Sequence, residues 1–369
     1  MREKWYEVTN VSEVASPALL IYPDRVRENI RRMVAIAGGV ERLRPHMKTH
    51  KLPEVIRMQV EQGIAKFKCA TIAEAEMVAT AGGEDVLLAY QPVGPNVDRF
   101  LELAMRFRNV RLSCVVDNAP TVAELSDAAA RSSMRLEVLV DLDVGQHRTG
   151  IPPDAHAFDL YRQIASLSAL IPGGLHAYDG HIHDADVVDR KAACETAFAP
   201  VDLLRRNLER HGLPVPRIVA GGTPTFPMHA KRGGVECSPG TCVFWDAAYG
   251  TQLLDLDFLP AAVLLTRVVS KPVSGRLCLD LGHKAVASEM PPPRVVFLNL
   301  TDAKAISHSE EHLVVETSDA GAFKIGDCLY GIPWHVCPTV ALHSEAVIVE
   351  NGKTTERWRI VARERRLTV

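Results

Sequence analysis

The sequence predicts a parallel (β/α)8 barrel of the TIM type, followed by an antiparallel β domain. Three observations lead there. Between residues 42 and 241, eight short apolar runs alternate with longer stretches whose apolar residues recur at three- and four-residue spacing. Beyond about residue 255 the helical stretches give way to strand-like runs punctuated by Gly, Pro, Asp and Ser. The polar and glycine-rich residues of the first region fall at the C-terminal ends of its runs, where barrel enzymes build their sites.

Taken in order, ALLIY (18–22) lies outside the count of eight and is assigned to the β domain. The barrel strands are RLRPHMK (42–48), KFKCAT (66–71), DVLLAY (85–90), RLSCVVD (111–117), LEVLVDLD (136–143), GLHAYDG (174–180), RIVAGGT (217–223) and VECSPGT (235–241). PEVIRMQVEQG, IAEAEMVATAGG, NVDRFLELAMRF and PTVAELSDAAARSS read as helices buried along one face. The last barrel strand brings the count to eight, which favours a closed barrel over a doubly wound open sheet. VLLTRVVSKP, RLCLDLG, HLVVETS, CLYGIP, EAVIVENG and ERWRIVARE supply the β domain. The expected division is 15–255 for the barrel and 256–369 for the β domain, joined by residues 1–22.

Composition narrows the function. The chain has 369 residues, 47% hydrophobic and 24% charged, with a formal net charge of −3. That balance offers no basic field, so nucleic acid is not an expected partner. No apolar run approaches the roughly 18 residues that span a bilayer, and MREKWYEVTNVSEV has no signal-like apolar core. Eight cysteines without framework spacing fit reduced thiols in the cytoplasm.

RPHMKTHK (44–51) is the densest basic segment, and it poses a choice between two lysines. On an extended strand Arg44, His46 and Lys48 share one face, and Pro45, Met47 and Thr49 the other. Lys48, ending the strand and facing inward, is a candidate for Schiff-base chemistry, with cationic neighbours helping to keep its amine reactive. The plain alternative is an exposed basic strand end. His46 and His50 are expected to bond backbone near the turn. Gly221-Gly222-Thr223-Pro224-Thr225 and Ser238-Pro239-Gly240-Thr241 follow the last two strands, the usual phosphate position of this fold. His335-Val336-Cys337 places an imidazole and a thiol two residues apart, on one side of an extended strand, where both can chelate one ion.

RPHMKTHK, DVGQHRTG, HAYDGH, GGTPT, SPGT and LDLGHKA, in that order, resemble the D-threonine aldolase and D-serine dehydratase family. These are pyridoxal-phosphate enzymes of the alanine racemase type, fold type III, and the resemblance spans nearly the whole chain. It implies that Lys48 bonds the cofactor while Lys51 is structural. It implies that Arg148 faces the ring hydroxyl, and that Tyr178 lies near the ring and phosphate. Gly221, Gly222, Thr223, Gly240 and Thr241 would hold the phosphate. His335 and Cys337 would carry a metal; imidazole with thiolate favours zinc, and manganese or magnesium is the alternative. Cys242 stands where the family often has tyrosine. Asp280 and Lys284 of LDLGHKA are expected to form a salt bridge at the domain junction, or to complete the site of a partner subunit, since the family implies a homodimer.

The implied reaction is retro-aldol cleavage of a small D-3-hydroxy amino acid, D-threonine to glycine and acetaldehyde. His181 or a metal-held hydroxide would act as base, with His183 the neighbouring alternative. Zinc-assisted dehydration of D-serine or D-3-hydroxyaspartate, with Lys48 removing the Cα proton, is the alternative favoured by the His-x-Cys pair. A racemase would need a second base, and a non-catalytic cofactor carrier would lack the β domain.

Overall fold

The computed structural model describes residues 4–368; the extreme ends of the expected N- and C-terminal β segments, residues 1–3 and 369, lie outside them. The chain divides into two compact units. One comprises residues up to 30, 49–52 and 241–363; the other comprises 31–48, 53–240 and residues from 364 on.

The second of these is the barrel. Seven parallel strands follow one another in sequence order: Lys66–Cys69, Asp85–Leu88, Arg111–Val116, Leu136–Leu142, Leu170–Ala177, Ile218–Ala220 and Val235–Cys237. Helices Pro53–Glu61, Ile72–Thr80, Pro95–Arg106, Ala119–Arg131, Ala155–Ser166 and Val187–Arg210 alternate with them. Several helices start on a side-chain cap: the Thr71 hydroxyl accepts from Glu74 N, and the Asn118 side chain from Thr121 N. Leu87, Val115, Leu139 and Val219 pack together inside the ring of strands.

The eighth position is occupied by Leu43–His46, which is not a regular strand. Leu43 bridges Cys237 on the last strand and His46 bridges Lys68 on the first, so the segment ties both edges. Arg44 N donates to Cys237 O at 2.8 Å, and Lys68 N donates to Pro45 O at 2.9 Å. Pro45 has no N–H for a ladder, and the chain then turns into a single 3-10 turn, Met47–Thr49. The expected alternation over 42–48 therefore fails at its C-terminal end.

Arg44 has a different task from the one its position suggested. Fully buried, it donates to Asp85 Oδ1 at 2.8 Å and to Glu236 Oε2 at 2.7 Å. Arg111 and Arg217 both pair with Glu137, at 2.5 and 3.0 Å. All six residues sit at the N-terminal starts of the strands, the end of a barrel that serves stability. Arg44 is a structural cation and not an activator of Lys48.

The other unit is a mixed, mostly antiparallel sheet. Its order is Lys304–His308, Leu313–Glu316, Arg276–Leu279, Ala262–Ser270, Ala18–Ile21, Glu345–Glu350, Lys353–Arg359. Ala18–Ile21 runs antiparallel to Ala262–Ser270 and parallel to Glu345–Glu350. Cys328–Pro333 adds to Ala262–Ser270 and carries Val295–Phe297. Leu20, Val263, Leu265, Tyr330 and Val347 form its core. Asp280 accepts from Thr266 Oγ1 at 2.6 Å and Arg267 N at 2.7 Å, whereas Lys284 pairs with Glu310 and Glu311. The expected Asp280–Lys284 bridge is thus replaced by two separate sets of partners.

Candidate active site

In the barrel unit the chemistry gathers around Tyr178, just past strand Leu170–Ala177. Lys48 Nζ lies 5.4 Å from the centroid of its ring, Arg148 Cζ 5.0 Å and Lys68 Nζ 5.3 Å. These separations fall within cation–π range. Among the described residues none of the three cations makes an ion pair or a side-chain hydrogen bond. A ring with three unpaired cations is a place built for an anion. Lys51, the rival lysine of the basic segment, sits two residues beyond the 3-10 turn with a φ of 55°.

Two sets of carboxylates border these cations. Asp141 Oδ1 lies 2.6 Å from His176 Nδ1 and its Oδ2 accepts from Thr149 Oγ1 at 2.9 Å. Burial pushes the His176 imidazole down despite Asp141, which favours a neutral ring donating through Nδ1. Its Nε2 is buried with no partner among the described residues. Asp179 forms the second set: Oδ1 accepts from Thr225 Oγ1 at 2.8 Å, and Oδ2 lies 2.8 Å from His229 Nε2. Burial opposes a charge on His229, but the bonds to Asp179 and Cys194 outweigh it and hold it at about 9.

That second set supports the glycine loop. Gly222 N donates to Thr225 Oγ1 at 3.3 Å. Gly221 adopts a φ of 78°, and a Cβ there would lie 2.6 Å from His229 Cδ2, so only glycine fits against the ring. Gly222 packs on the Tyr178 ring itself. The two expected phosphate loops are joined, since Gly240 N donates to Thr223 Oγ1 at 3.1 Å. The Ser238 hydroxyl, in the second loop, is buried without a partner among the described residues. A phosphate oxygen would satisfy it, so the loops fit a phosphate. The unpaired cations and orphaned hydroxyl together fit pyridoxal phosphate.

His181 is exposed beyond Tyr178. A Cβ on Gly145 would lie 2.9 Å from its Nε2, which places the ring against the loop that carries Arg148. His183 Nδ1 lies 2.8 Å from the His181 carbonyl and donates to it. His46 Nδ1 accepts from Lys48 N at 3.3 Å, a structural task.

Asp179, Cys194 and His229 also bring one ligand atom each within 4.8 Å of one another. In this structure Asp179 and His229 form an ion pair, and Asp179 also accepts from Thr225, which ties the group to the glycine loop.

The β unit holds the remaining expected residues. His335 and Cys337 do not lie on a strand, a correction to the extended-strand reading. His335 caps the helix Val336–Leu342 and Cys337 stands in its first turn. The chain leaves its strand at Pro333, which ends the ladder. The two side chains nevertheless converge: burial opposes a charge on His335, but its bond to Cys337, with help from Glu289 and Asp246, holds it at about 9. Glu289 Oε1 lies 2.5 Å from His335 Nδ1, which leaves Nε2 for a metal in the carboxylate–histidine pattern. Cys337 Sγ is 3.1 Å from Thr49 Oγ1 and 3.7 Å from Thr241 Oγ1. Thr49 follows Lys48 directly in the chain. His50 Nδ1 accepts from Leu52 N at 3.0 Å, and Cys242 is buried. The His–Cys donor set, backed by a carboxylate, fits a metal of zinc type.

Lys68, Asp141, Asp179 and His229 were not singled out from the sequence, and His176, seen at the end of its strand in HAYDGH, was given no role. Lys68 and His176 carried a usable signal: each lies on a barrel strand at a position where a polar side chain interrupts an apolar run.

Residues 21–247 match the family model described as alanine racemase, N-terminal domain, and residues 261–349 match that described as putative serine dehydratase domain. The chain is 32% identical to a D-threonine aldolase of Arthrobacter sp over 96% of its own length and 94% of the relative's. It is 32% identical to a 3-hydroxy-D-aspartate aldolase of Paracoccus denitrificans, covering 95% and 93%. The crystal structure of a D-threonine aldolase from Filomicrobium marinum superposes with a TM-score of 0.88 at 27% identity, over 96% and 97% of the two chains.

Proposed function

The chain belongs to the alanine racemase N-terminal domain family, and from that premise we propose that it is a lyase of D-3-hydroxy amino acids. It uses pyridoxal phosphate and a divalent metal, and cleaves D-threonine to glycine and acetaldehyde. The observation that carries this reading is the cluster of unpaired Lys48, Lys68 and Arg148 about Tyr178, beside a glycine loop braced for phosphate.

Bound pyridoxal phosphate supplies an electron sink for the bond at Cα that stands perpendicular to its ring. Lys48 would be the residue that anchors the cofactor through its amine. Arg148 would face the ring hydroxyl, and Tyr178 would lie near the ring. Gly221, Gly222, Thr223, Gly240 and Thr241 would hold the phosphate through backbone N–H and hydroxyl groups. His181 accepts the β-hydroxyl proton, which lets the oxygen's electrons form the aldehyde as the Cα–Cβ bond breaks. His335 and Cys337 would hold the metal, whose Lewis acidity lowers the hydroxyl pKa. The enzyme is proposed to work as a homodimer in the cytoplasm; no helix of the described residues is long and apolar enough to cross a membrane.

Dehydration is the second reading. It is favoured by the match of 261–349, which includes His335 and Cys337, to the putative serine dehydratase domain. Incubation with D-threonine, D-serine and D-3-hydroxyaspartate, with zinc and manganese compared, separates the two. Glycine and an aldehyde support cleavage; a keto acid and ammonia overturn it.

A further inference from the structure

Retro-aldol cleavage leaves an electron pair at Cα that must take up a proton before glycine can leave. Nothing assigned so far supplies it: Lys48, once the substrate amine has taken its place, would be left as a neutral amine with no proton to spare, and His181 takes a proton from the hydroxyl. Resting on the reading above, we propose that Lys68 is the proton carrier for Cα. In the cleavage direction its ammonium gives a proton to Cα, using the electron pair of the broken Cα–Cβ bond to form the new C–H bond. Lys68 is left as the neutral amine and regains a proton from solvent. In reverse, the neutral amine removes a proton from glycine.

The placement carries the argument. Lys68 lies in the first barrel strand, Lys66–Cys69, with only 1% of its surface exposed. A buried ammonium ordinarily has a counter-ion, because desolvating a lone charge is costly. Lys68 has no ion pair or side-chain hydrogen bond among the described residues; its Nζ instead faces the same Tyr178 ring as Lys48 and Arg148. A structural lysine would look like Lys66, two residues earlier, which donates to Glu236 at 2.7 Å.

The electrostatics agree. Burial is the largest influence on Lys68 and lowers it; Lys48 and Arg148 lower it too, while Asp179 and Asp141 raise it, leaving it at about 7. His176 also lies within electrostatic reach, and is kept neutral by its own burial. An amine balanced near neutrality exists in both forms at working pH, as proton transfer requires.

Exchange of the glycine α-hydrogen for solvent deuterium, followed by NMR on the cofactor-loaded enzyme, isolates this step from bond cleavage. The visible absorbance of the lysine-bound cofactor, read alongside, reports whether the site is intact. At saturating cofactor, with Lys48, Arg148 and the phosphate loops still in place, Lys68→Met should show the absorbance, lose exchange by about a hundredfold, and lose the rise of exchange through pH of about 7 expected in the wild type. Lys68→Arg retains size and charge but cannot release its proton; it should also bind cofactor and fail to exchange, and it decides the matter if the Met variant does not fold. Wild-type exchange in either variant, or loss of the cofactor in both, would overturn the assignment. A wild-type protein that binds no cofactor would instead bring down the proposed function, and the inference with it.

Discussion

Lys48 and Lys68 place their amines 5.4 and 5.3 Å from the centroid of a single tyrosine ring, that of Tyr178. One amine stands in the 3-10 turn that follows the segment tying the barrel's edges together; the other lies on the neighbouring strand. The choice posed by the basic segment was between Lys48 and Lys51, yet the amine that shares the site is Lys68.

Borohydride reduction of the cofactor-loaded protein, followed by peptide mass analysis, locates the covalent lysine. The added mass should fall on Lys48. Its appearance on Lys51 or Lys68 would reassign the anchor. Lys51→Ala should retain the visible absorbance that Lys48→Ala loses.

The Asp179–Thr225–Gly222 chain makes the phosphate loop a braced element. Asp179→Asn should weaken binding of pyridoxal phosphate by about ten- to a hundredfold, the range of a lost charged hydrogen bond. Pyridoxal, which lacks the phosphate, should bind the variant as it binds the wild type. Equal losses for both ligands would mean that Asp179 supports the barrel as a whole.

His229 gives the same network a pH dependence. Its imidazole is held at about 9 against an ordinary 6.5, because the gain from Asp179 and Cys194 exceeds the cost of burial. A raised folded value stabilises fully below about 6.5 and fades as pH rises through about 9. The difference in Tm between wild type and His229→Gln should therefore shrink across that window. A constant difference from pH 6 to 10 would show that His229 is not charged in the fold.

Chelation should abolish turnover and leave the cofactor absorbance in place. Glu289→Gln, which loses the carboxylate 2.5 Å from His335 Nδ1, should lower metal affinity by about ten- to a hundredfold. Titration with zinc monitored by calorimetry measures it. Full activity after chelation would remove His335 and Cys337 from the reaction.

Arg44→Met leaves the buried Asp85 and Glu236 carboxylates without their shared cation. The expected cost is about 3–5 kcal/mol of stability, read by urea denaturation. A variant as stable as the wild type but unable to bind cofactor would return Arg44 to the setting of Lys48.

The barrel was readable because each strand is a short apolar run flanked by a helix of regular period, a local signal. Lys48 was readable from its motif, but its surroundings were not. Arg44 and Glu236 meet on adjoining segments where the ring of strands closes, 192 residues apart in the chain, and no local pattern records such a pair. Pro45 explains the lost register after Arg44: without an N–H the strand stops, and the alternation that assigned Arg44, His46 and Lys48 to one face stops with it. His335 and Cys337 were found by spacing alone, and spacing two apart looks the same on a strand and in a helix's first turn.

The most direct measurement of the central claim follows the Cβ carbon of D-threonine. Substrate isotopically labelled at Cβ, incubated with the enzyme loaded with pyridoxal phosphate and zinc, should yield the label in acetaldehyde, with unlabelled glycine formed in equal amount. Label retained in 2-oxobutyrate, with release of ammonia, would contradict cleavage of the Cα–Cβ bond.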